Sequence, residues 1–186
     1  MLWLKDGFPV RSNPQKLTDE KWVNLFKRDD GYIVASRNET PDPEKIGVVA
    51  AAVFYRNKIV VLKQYRNIIG KNEYDIPAGL VDEGETPAQA IVREVKEETG
   101  LNTHLMYATP DVDFMNQVIY SSAGLTDENY KLYWLWADSD QELNPEKGIE
   151  VILFDISGET KQLFNDAPIT CRALLVMLAG RTTYHK

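Results

Sequence analysis

The chain has 186 residues, 44% of them hydrophobic, which is enough apolar content for one domain with a sizeable core. Its formal net charge of −7 argues against a protein that grips a nucleic-acid backbone by general electrostatics. No stretch approaches the roughly 18 apolar residues of a membrane span, and residues 1–8 lack the regions of a signal peptide. The single cysteine, Cys171, excludes an internal disulfide, and its apolar helical surroundings favour inert core packing. We therefore expect a soluble, cytoplasmic protein that binds neither nucleic acid nor membrane.

The N-terminal part of the chain predicts an arm followed by a β-hairpin. Residues 21–27 and 31–37 are strand-like, and the Asp-Asp-Gly sequence between them is a good hairpin turn. Residues 38–45 contain two prolines and predict a loop. We therefore predict an N-terminal element over residues 1–40, with a role in dimerisation left open, and a main domain over residues 41–186.

The main domain alternates apolar runs with polar connections. Residues 46–55 are so apolar that they predict a buried central strand. Residues 67–73 predict a polar loop, and residues 138–148, with four acidic side chains, predict a flexible lid. Other strands are predicted at residues 59–66, 103–107, 117–122, 130–137 and 149–156, and helices at 160–164 and 169–179. These elements indicate a mixed α/β fold.

Residues 79–101, GLVDEGETPAQAIVREVKEETGL, carry a further helix with signals at both ends. Thr86 is the predicted N-cap, Pro87 the first helical residue, and Gln89 the capping-box partner of Thr86. Gly100 supplies the left-handed residue that ends the helix. A loop with several acidic residues precedes it.

One face of this helix is crowded with carboxylates. Glu94, Glu97 and Glu98 share it, because spacings of three and four bring helical side chains together. Such a cluster favours hard divalent cations with oxygen ligands, and Mg²⁺ typically brings substrate phosphates. A solvated acidic face is the alternative for the helix taken alone. The apolar face, expected to bury against a sheet, consists of Ala88, Ile91, Val92 and Val95.

The whole stretch resembles the Nudix box, written G-x5-E-x7-R-E-U-x-E-E-x-G-U with U aliphatic. Every fixed position is filled, by Gly79, Glu85, Arg93, Glu94, Val95, Glu97, Glu98, Gly100 and Leu101. The resemblance implies the Nudix fold, an α/β/α sandwich with a mixed sheet, here preceded by the N-terminal β-hairpin. It also implies hydrolysis of a diphosphate linkage with Mg²⁺ or Mn²⁺ as cofactor.

The resemblance assigns roles within the box. Metal binding and catalysis fall to the acidic helix face together with one backbone carbonyl, that is, to Glu94, Glu97, Glu98 and Ala78. Arg93 and Glu85 pair in the family and hold the loop to the helix, although chemistry alone leaves a substrate contact by Arg93 equally open. Gly79 and Gly100 have structural roles.

The flanks of the box resemble ADP-ribose pyrophosphatases and related nucleoside diphosphate sugar hydrolases. Residues 61–66 and 74–79 resemble their QYR and E-x-PAG signatures, and residues 121–128 resemble their S-P-G-x-x-x-E loop. Trp22 and Phe26 are candidates for stacking on a base, with packing inside the hairpin as the alternative. The substrate contacts that this resemblance implies are Arg37, Arg66, Asp75, Glu128 and Trp22.

The sequence departs from that subgroup at three positions. Asp75 replaces a glutamate, and Ala123 replaces a proline. Lys147 stands where relatives have a glutamate that often serves as the catalytic base. Glu146 or Glu142 could take over as base, or the box carboxylates could suffice.

The most favoured function is hydrolysis of ADP-ribose or another nucleoside diphosphate sugar to a nucleoside monophosphate and a sugar phosphate. The alternatives are a pyrophosphohydrolase of nucleoside triphosphates or damaged nucleotides, and a non-catalytic nucleotide sensor. The implied partners are a small nucleotide substrate and a second copy of the chain in a homodimer.

Overall fold

A computed structural model describes residues 14–105, 118–155, 168–174 and 176. The helix predicted at residues 160–164 lies outside these ranges. The chain forms two compact units. The first comprises Met1–Val48 and Val118–Lys131, and the second comprises Val49–Gln117 and Leu132–Lys186.

The first unit contains the predicted hairpin and one additional short strand. β2 (Asn24–Lys27) pairs antiparallel with β3 (Ile33–Ser36), and β1 (Gln15–Lys16) pairs with the other edge of β2. Phe26 is only 2% exposed, because alternate residues of β2 face inward. Phe26 therefore packs inside the hairpin, and the prediction that it could stack on a base is wrong.

A loop of the first unit is fastened to the end of the hairpin. β9 (Val118–Tyr120) pairs with the first residues of β10 (Asn129–Ala137), and the loop lies between them. The buried carboxylate of Asp127 accepts hydrogen bonds from the Ser36 hydroxyl at 2.9 Å and from the Asp42 N–H at 2.7 Å. A buried carboxylate with several donors is an effective anchor.

The second unit is built on a large mixed sheet. Its centre is β4 (Val48–Tyr55), in which all eight residues are buried, as expected for a strand covered on both faces. A two-residue turn, Arg56-Asn57, with φ of 50° and 59°, leads into the neighbouring strand. The remaining strands of this unit are β5 (Lys58–Arg66), β6 (Lys71–Asp75), β7 (Ala78–Leu80), β8 (Thr103–Leu105) and β11 (Ile149–Asp155). The strand order is β11-β5-β4-β10-β8, with β6 paired to β5 and β7 paired to β4.

The polar residues 67–73 form a loop only in part. From Lys71 onward they belong to β6, which runs antiparallel to β5 with Tyr65 opposite Asn72. The first two residues of β6 are exposed and polar. The strand therefore lacks the alternation of apolar residues that would have predicted it from the sequence.

Helix α1 (Pro87–Thr99) begins and ends where its caps predict. The Thr86 hydroxyl and the Gln89 side chain form the capping box, and Gly100 follows in the left-handed region with φ of 81°. The buried face differs from the prediction, because Ala88 and Val92 are only half-buried. The fully buried positions are instead Ala90, Ile91, Val95 and Thr99. Thr99 can be buried because its hydroxyl donates to the Val95 carbonyl.

The acidic connection 138–148 is fastened at several points, so the prediction of a flexible lid is wrong. The Gln141 side chain exchanges hydrogen bonds with the Asn102 backbone. The backbone carbonyl of Gln141 accepts a hydrogen bond from the Tyr55 hydroxyl. Farther along, the Asn144 N–H donates to the Thr99 carbonyl at 2.9 Å. The segment is thereby held against the end of α1.

The C-terminal part of the described chain begins with an isolated β-bridge and continues as a helix. Ile169 forms a parallel bridge with Tyr74, and residues 171–174 and 176 are helical. Cys171 is exposed on this helix, so the prediction that it packs in the core is wrong. Within the described ranges, no helix is both long enough and apolar enough to cross a bilayer.

Replacing Gly100 with alanine should destabilise the protein through two separate effects. The φ of 81° disfavours any side chain, and a Cβ would lie 2.7 Å from the Asn144 backbone nitrogen. Gly84 is a matched control, because its φ is 80° and no atom lies within 4 Å of its Cβ position. We expect Gly84→Ala to lower the free energy of unfolding by about 1–2 kcal/mol. Gly100→Ala should lower it by at least about 1 kcal/mol more. Urea denaturation measures both values, and equal losses would show that Asn144 does not crowd this position.

Candidate active site

An arginine clamp joins the loop before α1 to the helix itself. The Arg93 guanidinium donates through Nε and Nη2 to the two carboxylate oxygens of Glu85, at 3.0 and 2.9 Å. Nη2 also donates to the Leu80 carbonyl at 2.9 Å. Two parallel bonds suit the planar guanidinium fork, and hydrogen bonding from Arg93 lowers the pKa of Glu85. Of the two alternatives left open for Arg93, the structure shows the pairing with Glu85.

The same guanidinium also reaches the acidic helix face. Its Nη1 donates to Glu94 at 2.7 Å and to Glu97 at 3.2 Å. Arg93 therefore supplies a cation to the face for which the sequence favoured divalent metal ions. As the side chains are placed, no three acidic, histidine or cysteine groups of the described residues converge on one metal position.

Gly79 makes room for the Glu94 carboxylate. A Cβ at position 79 would lie 1.9 Å from Cδ of Glu94, so any side chain there would displace the carboxylate. Burial raises the pKa of Glu94, and hydrogen bonding from Arg93 opposes that shift. The first residue of the box is therefore a glycine because the acidic group of α1 rests against its backbone.

Glu98 lies deepest among the box carboxylates. Its Oε2 accepts a hydrogen bond from the Ala78 N–H at 3.0 Å, which ties β7 to α1. Burial raises the pKa of Glu98 to about 8, with the hydrogen bond from Ala78 acting against the rise and the charges of Glu94 and Asp75 adding to it. A carboxyl group of this kind binds a proton at neutral pH or exchanges it for a metal cation.

The residues present fit a divalent metal ion by the chemistry of their donor atoms. Carboxylates and a backbone carbonyl are the oxygen ligands that hard cations such as Mg²⁺ and Mn²⁺ prefer. The carboxyl group of Glu98 is already held beside the Ala78 backbone, and that of Glu94 rests in the space left by Gly79. Glu94 and Glu97 would have to turn from Arg93 toward the ion.

A groove of about 420 Å³ adjoins the acidic face of α1. Glu146 and Glu97 both line this groove. The remaining lining residues are Lys96, Gly100, Asn144 and Pro145. Glu142 is engaged elsewhere, because it pairs with Arg56 at 3.1 Å beside the turn between β4 and β5. Sequence spacing does not distinguish Glu142 from Glu146 as candidate bases. The path of the 138–148 connection distinguishes them, because it carries Glu146 to the groove and Glu142 to Arg56.

Asp75 has a structural use that the sequence did not reveal. It is 4% exposed, and its carboxylate accepts from Arg172, from the Thr170 hydroxyl at 2.7 Å and from the Ile76 N–H at 2.8 Å. Arg66 reaches the same carboxylate only at 3.5 Å and donates to Glu73 at 3.1 Å. We therefore do not retain Asp75 as a substrate contact. Arg172 lies 97 residues farther along the chain and belongs to no motif, so no sequence signal identified it.

The other predicted substrate contacts form a cluster within the first unit. Nε of Arg37 donates to Glu128 at 2.7 Å, and its Nη1 donates to the Trp22 carbonyl at 3.4 Å. Trp22 is 63% exposed, and the Lys21 ammonium lies 4.3 Å from the centre of its ring. An exposed indole, a guanidinium and a carboxylate are groups suited to a nucleotide, and here Arg37 links Glu128 to the backbone of Trp22.

Comparisons with known proteins agree with these features. A family model described as NUDIX domain matches residues 45–159. The protein named putative nudix hydrolase 2 of Caenorhabditis elegans is 38% identical over 166 residues, covering 78% of this chain and 72% of that protein. The ADP-ribose pyrophosphatase of Mycobacterium tuberculosis is 33% identical over 92 residues, covering 48% of this chain and 41% of that enzyme. A crystal structure of an ADP compounds hydrolase shares the fold, with a TM-score of 0.53 and 16% identity over 93% of this chain and 95% of that one.

The raised pKa of Glu98 predicts a distinctive pH dependence of stability in the metal-free protein. Because its folded-state value of about 8 exceeds the ordinary 4.5, the folded state binds more protons between these limits. This contribution to the free energy of unfolding therefore falls as pH rises, by up to about 1.4 kcal/mol per pH unit inside the window. Between pH 5.5 and 7.5 we expect the unaltered protein to lose about 2 kcal/mol more than Glu98→Gln, measured by urea denaturation with EDTA present. Parallel pH profiles for the two proteins would contradict the assignment.

Proposed function

Because this chain belongs to the Nudix family of hydrolases, it is an enzyme, and we propose that it cleaves the diphosphate linkage of a nucleoside diphosphate sugar, ADP-ribose first. The observation that carries the proposal is the box itself, in which α1 carries three carboxylates on one face and Glu98 among them is bonded to the Ala78 backbone. The likeness to ADP-ribose pyrophosphatase supports the choice of substrate. With ADP-ribose and water, the products are AMP and ribose 5-phosphate.

The reaction breaks one phosphorus–oxygen bond and forms another to the oxygen of water. Nudix hydrolases generally use divalent metal ions, and here Glu94, Glu97, Glu98 and the Ala78 carbonyl would hold Mg²⁺ or Mn²⁺. When bound, such an ion polarises phosphate oxygens and lowers the pKa of water. The clamp from Arg93 to Glu85 keeps the loop in place beside these ligands.

Glu146 is the carboxylate that we propose as general base. It lines the groove next to Glu97, is exposed to solvent and so can accept a proton from water. The hydrogen bond from the Asn144 N–H to the Thr99 carbonyl at 2.9 Å holds the segment that carries Glu146. Glu142 is not proposed, because its carboxylate pairs with Arg56.

Substrate contacts are proposed for four of the five residues that the sequence indicated. Arg66 would bind the diphosphate, since its side chain is 41% exposed and one arm of its fork is only loosely held at 3.5 Å. In the first unit, Arg37 would bind phosphate, Glu128 the sugar, and the exposed Trp22 ring the base. Each of these groups has the polarity or the ring that its assigned part of the substrate requires.

The proposal extends to domains and assembly. Residues 41–186 would form the catalytic domain and residues 1–40 an element of a homodimer in the cytoplasm. Light scattering on the purified chain measures the number of subunits directly.

A panel of nucleoside diphosphate sugars, ADP-ribose and deoxynucleoside triphosphates tests the reaction. With Mg²⁺ or Mn²⁺ present, we expect ADP-ribose or a nucleoside diphosphate sugar to yield a nucleoside monophosphate and a sugar phosphate. Phosphatase coupling then releases inorganic phosphate from these products for detection. Because metal ligation fails without the charge, Glu97→Gln and Glu98→Gln should each lower kcat by at least about 100-fold.

The same panel separates the competing functions. Turnover of the triphosphates alone would replace the proposal with a nucleoside triphosphate pyrophosphohydrolase. Tight calorimetric binding of ADP-ribose without turnover would indicate a sensor. Full activity in both glutamine variants would refute the assigned metal site.

Substitution at the two acidic positions of the 138–148 connection tests the base. Glu146→Gln should lower kcat by roughly 100-fold or more, because loss of a general base typically costs that much. Glu142→Gln serves as the matched control and should leave kcat within about twofold, since exposed ion pairs contribute little. Steady-state kinetics at saturating substrate gives both values, and equal activities would show that Glu146 does not take the proton.

A further inference from the structure

We propose that Arg172 is a positioning residue for the metal-binding end of the box, acting through a buried ion pair with Asp75. The inference rests on the proposed function, because it concerns the ligands that the metal would use. Arg172 lies outside the box and outside the flanking signatures, and it makes its contact from the C-terminal helix.

The Arg172–Asp75 pair is a two-pronged, shielded contact. Nε of Arg172 donates to Oδ1 of Asp75 at 2.8 Å, and Nη2 donates to Oδ2. The side chains are 21% and 5% exposed, so water screens the pair far less than it screens a surface ion pair. A carboxylate held at both oxygens has little freedom to rotate.

The C-terminal side of the pair is itself fixed to β6. The Tyr74 N–H donates to the Pro168 carbonyl at 2.8 Å, and the Thr170 N–H returns a bond to the Tyr74 carbonyl at 3.0 Å. The Thr170 hydroxyl accepts from the Ala173 N–H at 3.2 Å, as an N-cap does, and donates to Asp75 at 2.7 Å. Arg172 therefore starts from a capped helix whose position is set by backbone pairing.

The other side of the pair leads directly into the box. Oδ1 of Asp75 also accepts from the Ile76 N–H at 2.8 Å, and the Pro77 carbonyl accepts from the Ala51 N–H at 2.8 Å. The next residue, Ala78, donates its N–H to Glu98. Only two residues separate the anchored aspartate from the backbone that would bind the metal and orient Glu98.

Loss of Arg172 should therefore disturb the proposed metal ligands as well as lower the free energy of unfolding. Without the fork, the buried Asp75 charge loses its main partner, and the carboxylate is free to turn toward other donors or solvent. Such a turn weakens the bond to the Ile76 N–H and loosens the segment before Ala78. Arg66 is a poor replacement, because it lies at 3.5 Å and also holds Glu73.

Binding of Mn²⁺ alone tests the inference without any substrate. Electron paramagnetic resonance of free Mn²⁺, titrated with the metal-free full chain, gives the Kd. We expect Arg172→Gln to raise the Kd at least about tenfold, as loss of a residue that supports metal ligands commonly does. Arg172→Lys keeps the charge but not the fork, so it should raise the Kd roughly threefold. In the hydrolysis assay, kcat should fall while KM stays within about twofold.

Arg28→Gln is the matched control. Arg28 has a side chain 28% exposed, pairs with Asp30 at 2.9 Å and lies outside the second unit, so the Kd should not change. Circular dichroism confirms that each variant is folded at the assay temperature. If folded Arg172→Gln shows an unchanged Kd for Mn²⁺, the inference is overturned while the proposed function stands. If Arg172→Gln does not fold, an unchanged Kd in Arg172→Lys has the same consequence. Failure of the unaltered protein to bind Mn²⁺ overturns the metal-dependent function as well.

Discussion

Four acidic side chains at the box share one guanidinium, and the local structure depends on that sharing. Arg93 is bonded to Glu85, Glu94 and Glu97, and it lies 3.7 Å from Asp82. Without this cation, the carboxylates on the face of α1 would repel one another and the acidic loop before the helix. Because the guanidinium is planar and always charged, it can serve loop and helix together, which a lysine ammonium could not do with fixed geometry.

The clamp has a consequence for metal binding. Glu94 and Glu97 accept hydrogen bonds from Arg93, whereas the Glu98 carboxylate accepts one from the Ala78 N–H and has a raised pKa. At the proposed metal site an incoming cation would therefore meet two kinds of ligand. It would compete with an arginine at two carboxylates and displace a proton at the third. Displacement of the proton would make metal affinity depend on pH, and the bond from Ala78 to Glu98 would make it depend on how firmly the backbone at Ala78 is held.

The parts of the structure that the sequence predicts are those with local signatures. The caps of α1 and the N-terminal hairpin each lie within a short stretch whose residue types have specific conformational uses. The pairing of Arg93 with Glu85 is implied by the resemblance to the box, because chemistry alone leaves a substrate contact equally open. The parts that it misses depend on distant contacts. Polar β6 is a strand because β5 lies beside it, and Asp75 is an anchor because Arg172 meets it 97 residues later. Cys171 is exposed although the periodicity around it is apolar, since periodicity alone does not fix which side of a helix faces the core.

The arginines proposed to bind phosphate all have carboxylate partners in the protein, so substrate binding must be an exchange of partners. Arg37 is paired with Glu128, and Arg66 is paired with Glu73 and, at longer range, with Asp75. Releasing an arginine normally leaves its carboxylate uncompensated, which is costly where the carboxylate is buried. At Asp75 this cost would be avoided, because Arg172 holds both carboxylate oxygens. Asp75, predicted as a shortened substrate ligand, is instead held by Arg172, and this hold would leave Arg66 available for its proposed contact with the diphosphate.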